Sequence, residues 1–413
     1  MDVLPIISLD KYEDAVGPEF LDIIRDEASE LSECTVAQIN STYQGGGVAE
    51  ILNSLVILLN DVGIKTDWRI LHGDLDFFTI TKKFHNALQG EKINFSKKKK
   101  ELYFINNVNN AIFTHINHDL VVVHDPQPLP IITCYEKKQP WIWRCHIDIT
   151  SPHKPLWKYL KTFISQYDVM VTSMEEFMDK DAKTSIPQRI IKPSIDPLNI
   201  KNKQISQETI DKYLKKSGVE PNKPIISQIS RFDKWKDPEG MIHIFDIVRK
   251  KVDCQLLLVG SMATDDPEGQ EVFEKIEKRI ENKKDIHLII DAPDIVVNAI
   301  QQESSVVVQK SLKEGFAITV SEALWKETPV VASNIGGIPS QVIHGKTGFL
   351  ENPTDYQGFA EKIIYLLNHP KEAKEIGKNG REHIRNNFLI TRHLLDYIRL
   401  FKDLKKNKKN NDK

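Results

Sequence analysis

Short apolar runs rich in valine and isoleucine alternate along the chain with longer segments whose apolar positions recur at helical spacing. A continuous apolar run of this length is typical of a strand buried on both faces, and the helical segments between such runs indicate crossover connections. The pattern predicts an α/β fold with parallel sheets in both halves. The predicted strands are 35–39, 67–71, 119–123, 140–145, 168–172, 188–192, 224–228, 254–259, 285–290, 304–308, 329–332 and 347–350.

Two prolines, Pro193 and Pro197, flank a turn that is followed by a polar stretch and a predicted helix at 206–217. Prolines interrupt regular structure, so this segment is a natural hinge. We therefore predict an N-terminal domain over residues 1–195 and a C-terminal domain over residues 196–385.

The last part of the chain has helical periodicity over 372–404, with spaced leucines and an isoleucine near its end. We expect the part at about 386–405 to cross back to the first domain. Residues 406–413 consist of lysine, asparagine and one aspartate, and this composition predicts a disordered tail.

Composition narrows the class of protein. Of 413 residues, 40% are hydrophobic and 28% are charged, as in ordinary globular proteins. Lysine plus arginine (56) nearly balance aspartate plus glutamate (58), so no overall field favours nucleic acid or a membrane surface. The lysine run 97–100 is expected to be a solvated loop.

The compartment is predicted from two further features. The first residues lack the basic, apolar and small-residue regions of a signal peptide, and no long apolar run follows. Four cysteines are scattered without CxxC spacing, which favours reduced thiols over disulfides or a zinc site. We expect a cytoplasmic protein.

A glycine run follows the first predicted strand. Gly45, Gly46 and Gly47 lie between strand 35–39 and a helical pattern at 48–60. Glycines here let the backbone approach a ligand and leave helix N–H groups directed at an anion or a sugar oxygen. The run is not GxGxxG, and a plain tight turn explains it equally well.

Cations follow the strand that opens the second half. Arg231 and Lys236 lie five residues apart, just after Ser230, and Asp237-Pro238 then predicts a helix start with an aspartate cap. Two such cations at the carboxyl end of a parallel strand can hold a diphosphate. The alternative is a set of surface charges around a helix start.

Two glutamates follow strand 304–308. Glu314 and Glu322 are eight residues apart, and on one helix this spacing separates them by about 12 Å. Glycosidase acid/base pairs lie roughly 5–9.5 Å apart, so this pair is better suited to the two ends of a long ligand. Gly315, Phe316 and Ala317 would direct backbone N–H groups at an anion between them. Two solvated helix glutamates are the alternative.

These three features together resemble the retaining glycosyltransferases of family 4, over about residues 35–390. The resemblance implies the GT-B fold, in which two Rossmann-like doubly wound lobes face a central cleft, with no required metal. Segments 81–90, 124–128, 143–148 and 193–198 are similar to the branch that contains trehalose glycosyltransferring synthases and trehalose phosphorylases.

The resemblance also implies roles for individual residues. His146 would bind the donor glucose near the bond that breaks, although a histidine ending a strand is often structural. Asp125 would bind acceptor hydroxyls, or alternatively cap the turn before Pro126. Three residues would lie near the acceptor, or simply form a polar helix face: Lys82, His85 and Asn86.

The expected activity is therefore retaining transfer of glucose from ADP-, UDP- or GDP-glucose to free glucose, giving α,α-trehalose reversibly. His146, Arg231, Lys236 and Glu314 are the expected catalytic residues, and Glu322 would bind ribose. A phosphorylase that makes glucose 1-phosphate and a non-catalytic sugar- or nucleotide-binding module are the rivals. No cofactor, protein-bound metal, nucleic acid or membrane is expected as a partner, and a homodimer is left open.

Overall fold

The structure is a computed structural model that describes residues 8–43, 46–180, 186–220, 223–260 and 267–411. The chain forms two compact units. One comprises Met1–Pro193 together with Ile390–Lys413, and the other comprises Ser194–Leu389. Within the described part, no helix is both long and apolar enough to cross a lipid bilayer.

The first unit begins with short helices and then alternates strands with helices. Its elements are α1 Glu13–Val16, α2 Pro18–Ser29, β1 Thr35–Asn40, α3 Gly47–Asp61, β2 Lys65–Ile70, α4 Leu75–Leu88, α5 Lys97–Phe113, β3 Leu120–His124, β4 Trp141–Arg144, α6 Lys154–Ile164, β5 Val169–Thr172 and β6 Gln188–Ile190. Short 3-10 helices lie at Leu9–Tyr12, Leu129–Cys134 and Glu175–Phe177.

The second unit repeats the alternation. Its elements are α7 Gln207–Lys216, β7 Ile225–Ile229, α8 Pro238–Arg249, β8 Gln255–Gly260, α9 Pro267–Ile280, β9 Ile286–Ile290, α10 Asp294–Glu303, β10 Val306–Gln309, α11 Ile318–Trp325, β11 Val330–Ser333, α12 Ile338–Gln341, β12 Phe349–Glu351, α13 Tyr356–Asn368 and α14 Pro370–Asn387. Helix α15, Ile390–Asn411, then returns to the first unit.

The sheet of the first unit is six-stranded and parallel, in the order β2-β1-β3-β4-β5-β6. Val121, Val123, Trp141 and Trp143 pack into one buried core. Because side chains alternate along a strand, His124 at the end of β3 lies on the opposite face. The strand order reverses between β1 and β3, and ligands of doubly wound sheets bind outside the carboxyl ends at such a point.

The sheet of the second unit is also six-stranded and parallel, in the order β12-β11-β10-β7-β8-β9. This is the Rossmann strand order, with β7 and β10 adjacent at the centre. The two segments that carry the predicted cations and glutamates follow these two strands. The fold therefore brings both segments to the same edge of one sheet.

Each of the twelve predicted strands overlaps an observed strand, and the α/β prediction is confirmed. The predicted helix 372–404 is two helices, because the chain breaks at Phe388, whose carbonyl accepts the Ile195 N–H (2.8 Å). The predicted tail is helical as far as Asn411, since α15 packs against α2 and α3.

The lysine run 97–100 is the first turn of α5 and not a loop. Ser96 caps this helix through the Lys99 N–H (3.4 Å), and a serine cap of this kind stabilises a helix start.

Candidate active site

The loop after β7 is organised by a buried aspartate. Asp233 accepts hydrogen bonds from the N–H groups of Trp235 (2.8 Å) and Lys236 (3.1 Å), and so begins a 3-10 turn over Lys234–Lys236. The exposed guanidinium of Arg231 lies 3.4 Å from the Asp233 carboxylate. Ser230 is half-buried, and its N–H donates to the Val259 carbonyl (3.0 Å). The predicted cations therefore lie on a loop with its own internal support.

Lys236 and Glu314 meet in the structure. The Lys236 ammonium bonds Oε2 of Glu314, and both side chains are largely buried. The same oxygen accepts from Gln309 Nε2 (3.2 Å) and Ser311 Oγ (3.2 Å). The Glu314 carboxylate, which follows β10, thus accepts from three donors, and one of them is the Lys236 cation that follows β7.

Asp237 has a left-handed backbone (φ 42°) immediately after Lys236. As predicted, its side chain caps the following helix, here through the Gly240 N–H (3.0 Å). Its carboxylate also bonds the ammonium of Lys310, which is fully buried, and accepts from the Tyr356 hydroxyl (3.3 Å). Burial lowers the pKa of Lys310, while the contact with Asp237 opposes this shift. This buried pair, which holds the backbone next to Lys236, was not predicted.

The segment after Glu314 is pressed against two glycines. A Cβ on Gly336 (φ 52°) would lie 1.9 Å from the Glu314 carbonyl oxygen, and the Gly337 N–H donates to the Gly315 carbonyl (2.8 Å). Ala317 has a left-handed backbone (φ 65°) and precedes α11. Only glycine fits at 336, so this position supports the loop, although it was not predicted.

The two glutamates do not lie on one helix, contrary to the expectation from their spacing. Because α11 begins at Ile318, Glu314 lies outside the helix and only Glu322 lies within it. The axial separation expected for one continuous helix therefore does not apply. Phe316 also lies before the helix, and its carbonyl accepts from the side-chain amide of Gln341.

Glu322 is buried in the middle of α11. Its Oε2 accepts from Gln301 Nε2 (3.4 Å), and Lys326 in turn bonds Gln301 Oε1 (2.7 Å). Within the described residues, Oε1 of Glu322 is buried without a hydrogen-bond partner. A buried carboxylate oxygen of this kind is costly unless a donor satisfies it.

In the first unit, Asp125 and His146 lie side by side. Oδ1 of Asp125 accepts the backbone N–H of His146 (2.8 Å), and the Asp125 N–H donates to the Arg144 carbonyl (2.8 Å). Asp125 has a left-handed backbone (φ 60°), which turns the chain sharply at the end of β3. Burial raises the pKa of Asp125 to about 6, although the His146 N–H and Arg144 oppose this shift.

The ring of His146 belongs to a chain of hydrogen bonds. Its Nε2 lies 3.0 Å from Nδ1 of His124, and Nε2 of His124 lies 2.7 Å from Oε1 of Gln38. Burial, followed by the Arg144 cation, lowers the pKa of His124 to about 3 and that of His146 well below its usual value. Gln38 and His124 were not predicted, although a polar residue in an otherwise apolar strand was a signal.

The other predicted positions have a simpler setting. Gly46 has a positive φ (79°) and precedes α3, which begins at Gly47, whereas Gly45 lies outside the described residues. On α4, Lys82 is exposed, while two further predicted acceptor-site residues are partly buried: His85 and Asn86.

Comparisons with known proteins show which family the chain belongs to. Residues 38–179 match the family described as the trehalose synthase N-terminal domain, and residues 209–383 match the glycosyl transferases group 1 family. The chain is 45% identical to a trehalose synthase from Thermococcus litoralis, over 95% of this chain and 96% of that protein. It is 39% identical to one from Rubrobacter xylanophilus, over 96% and 97% of the two chains.

A solved structure has the same fold at low sequence identity. The α,α-trehalose 6-phosphate synthase of Burkholderia multivorans superimposes with a TM-score of 0.73 at 16% identity, over 91% of this chain and all (100%) of that chain. The fold and the matches to both family models define a glycosyltransferase with the GT-B architecture. Within that class, the chain belongs to the trehalose synthase family.

Proposed function

We propose that the protein transfers glucose from a nucleoside diphosphate glucose to free glucose, with retention at the anomeric carbon, and so forms α,α-trehalose reversibly. The observation that carries the proposal is the Lys236–Glu314 pair at the carboxyl ends of β7 and β10. The strand order of the second sheet reverses between β7 and β10, and ligands bind at such a point. A cation there, beside a helix N-terminus, can bind phosphates, and the neighbouring carboxylate can accept from sugar hydroxyls. The relatives are trehalose synthases, which supports trehalose as the product.

In this proposal, Arg231, Lys236 and the N–H groups of residues 315–317 stabilise the negative charge that develops on the departing diphosphate. Glu314 accepts from hydroxyls of the transferred glucose. The unsatisfied oxygen of Glu322 accepts from a ribose hydroxyl. That oxygen favours a nucleotide donor over inorganic phosphate.

The residues of the first unit would serve the sugars. Asp125 would bind hydroxyls of the acceptor glucose, because an ionised carboxylate accepts two or more hydrogen bonds. His146 would bind the transferred glucose. Lys82, His85 and Asn86 would lie at the acceptor side, and Gly46 and Gly47 would leave the start of α3 open to a ligand.

The proposed reaction proceeds on one face of the sugar. The bond between the anomeric carbon and the phosphate oxygen breaks, and the acceptor oxygen bonds to the same face of that carbon. The acceptor proton passes to the departing phosphate oxygen. No protein nucleophile, metal or cofactor takes part. We place the reaction in the cytoplasm, because the four cysteines, all within the described residues, are unpaired thiols.

The test is a product assay. The protein is incubated with glucose and ADP-, UDP- or GDP-glucose in turn, and the products are separated and their anomeric configuration is determined. We expect a non-reducing α,α-linked disaccharide and release of the nucleoside diphosphate. Phosphate-dependent cleavage of trehalose without any nucleotide would establish the phosphorylase instead. Tight nucleotide-sugar binding without turnover would indicate a binding module.

A further inference from the structure

The hydrogen bonds among Gln38, His124 and His146 have a defined direction. Oε1 of Gln38 can only accept, so Nε2 of His124 carries the proton of that bond. A neutral imidazole has one N–H, and therefore Nδ1 of His124 is an acceptor. Nε2 of His146 must then donate to it. The remaining nitrogen of His146, Nδ1, is left with a lone pair.

We propose that Gln38 and His124 are positioning residues that fix the tautomer of His146, so that Nδ1 of His146 accepts a hydrogen bond from a hydroxyl of the transferred sugar. The inference rests on the proposed role of His146 in binding that sugar. His146 is partly exposed, and no residue in the described ranges supplies a hydrogen bond to its Nδ1. The same nitrogen is thus available to a ligand.

Burial, and then the charge of Arg144, keeps both rings neutral. Arg144 is fully buried on β4, next to β3, and only its Nη2 bonds a described side chain, Ser173 Oγ (3.2 Å). Burial is the main cause that lowers the pKa of both His124 and His146, and the Arg144 cation lowers it further because it disfavours a second positive charge nearby. Each ring therefore carries a single proton, which is the state that the two hydrogen bonds need.

Other charged and titratable groups also face this cluster. Asp125 is bonded to the His146 backbone, and its charge acts on Arg144. Helix α15 contributes His393, which acts on His146, and Tyr397 and Asp396, which act on Arg144. Arg392 acts on His393 and helps to keep it neutral. After burial, Arg144 is the group that lowers the pKa of both rings, and His393 adds to the effect on His146.

Substitutions at Gln38 separate a tautomer effect from a packing effect. Gln38→Met keeps a similar shape but cannot accept, and we expect kcat/KM to fall about tenfold, as for loss of one buried hydrogen bond. Gln38→Glu offers only acceptor oxygens, and Nε2 of Gln38 has no partner within the described residues. At pH 8, Gln38→Glu should therefore have a kcat/KM close to that of the unmodified protein.

The glutamate variant also predicts a displaced pH profile. A carboxylate beside His124 favours its protonation, and protonated His124 donates from both nitrogens. The bond to His146 then reverses, so the pH at which ¹⁵N spectra show His124 gaining its second proton should be at least about one unit higher than in the unmodified protein. Gln255→Met is the matched control, since Gln255 is buried at the start of β8 and bonds only backbone groups.

Long-range ¹⁵N–¹H NMR spectra of the histidine-labelled full chain give a readout independent of activity. His146 is identified by its absence from the His146→Asn spectrum. We expect the proton on Nε2 in the unmodified protein and in Gln38→Glu at pH 8, and a mixture of tautomers in Gln38→Met. A proton on Nδ1, or identical spectra for the unmodified protein and Gln38→Met, would overturn the proposal. Failure of the product assay alone would remove the proposed reaction but leave the tautomer result standing.

Discussion

Lys236 is the single residue on which the proposed stabilisation of the diphosphate depends most. Its ammonium is held by Glu314 on a turn fixed by Asp233, so the charge is already in place before the reaction. We expect Lys236→Ala to lower kcat by about 10²–10³, as for removal of one preorganised donor. Lys234→Ala, on the exposed side of the same turn, is the control and should change kcat little. Unchanged turnover at saturating donor in Lys236→Ala would refute this role.

Asp125 predicts a dependence of stability on pH. Its pKa in the folded protein is about 6, above the roughly 3.9 of an unfolded aspartate, so its contribution is fully present below about pH 4 and is lost as the pH rises through 6. The loss is at most about 3 kcal/mol. Asp125→Asn does not titrate and should therefore be more stable than the unmodified protein at pH 8, but not at pH 4.

Urea unfolding of both proteins at the two pH values measures this difference. Glu91→Gln, which replaces an exposed carboxylate, should show no such pH-dependent difference. The same substitution at 125 should weaken transfer to glucose, because the acceptor would lose a charged partner. A stability difference that is equal at both pH values would argue against a raised pKa.

The site residues that could be predicted from the sequence are charged side chains that directly follow apolar strands. Arg231, Lys236 and Glu314 follow apolar strands, so the sequence indicates their position. Gln38 and Lys310 act through partners far along the chain, at His124 and Asp237. Their roles depend on which strands become neighbours, and local sequence patterns do not contain that information.

At the scale of elements, the loop before α11 is shaped by close backbone contact. Gly336→Ala places a Cβ 1.9 Å from the Glu314 carbonyl oxygen, so the loop must move. We expect a loss of about 2–4 kcal/mol of stability, which combines left-handed strain with overpacking, and a fall in kcat because Glu314 shifts.

Gly345→Ala is a matched control for that substitution. Gly345 also has a positive φ (75°), but nothing lies within 4 Å of its Cβ position. It should show the backbone strain alone, about 1–2 kcal/mol, with unchanged kcat. Equal losses of stability and activity in the two variants would mean that the contact with Glu314 is unimportant.

The ends of some helices could not be predicted from the sequence, although the strands could. Each strand of the described residues overlaps a predicted one, because most of these strands are short apolar runs bounded by polar residues. The break at Phe388 was missed, since helical periodicity continues across it and only the pairing with Ile195 interrupts the helix. The extension of α15 to Asn411 was missed for a related reason. Its support comes from Glu27 and Glu30 on and beside α2, which bond Lys402.

At the scale of the whole molecule, the first unit is assembled from both ends of the chain, whereas the second is one continuous segment. Helix α15 buries Leu394, Tyr397, Ile398 and Phe401 within the first unit. Each such side chain contributes roughly 1.5–3 kcal/mol on burial, and together they approach the whole stability of an ordinary domain. A chain that ends at residue 389 should therefore lose the first unit and keep the second.

Hydrogen exchange followed by mass spectrometry distinguishes the two units in that truncated protein. We expect peptides of β1, β3 and β4 to exchange rapidly, while peptides of β7, β8 and β10 keep their protection, because the second unit has its own continuous core. A chain that ends at Lys405 is the control, since the next residues, 406–408, are exposed and their removal should leave both units protected. Protection of the first unit without α15 would show that the N-terminal segment folds alone, and simultaneous loss of both units would show that the two do not unfold separately.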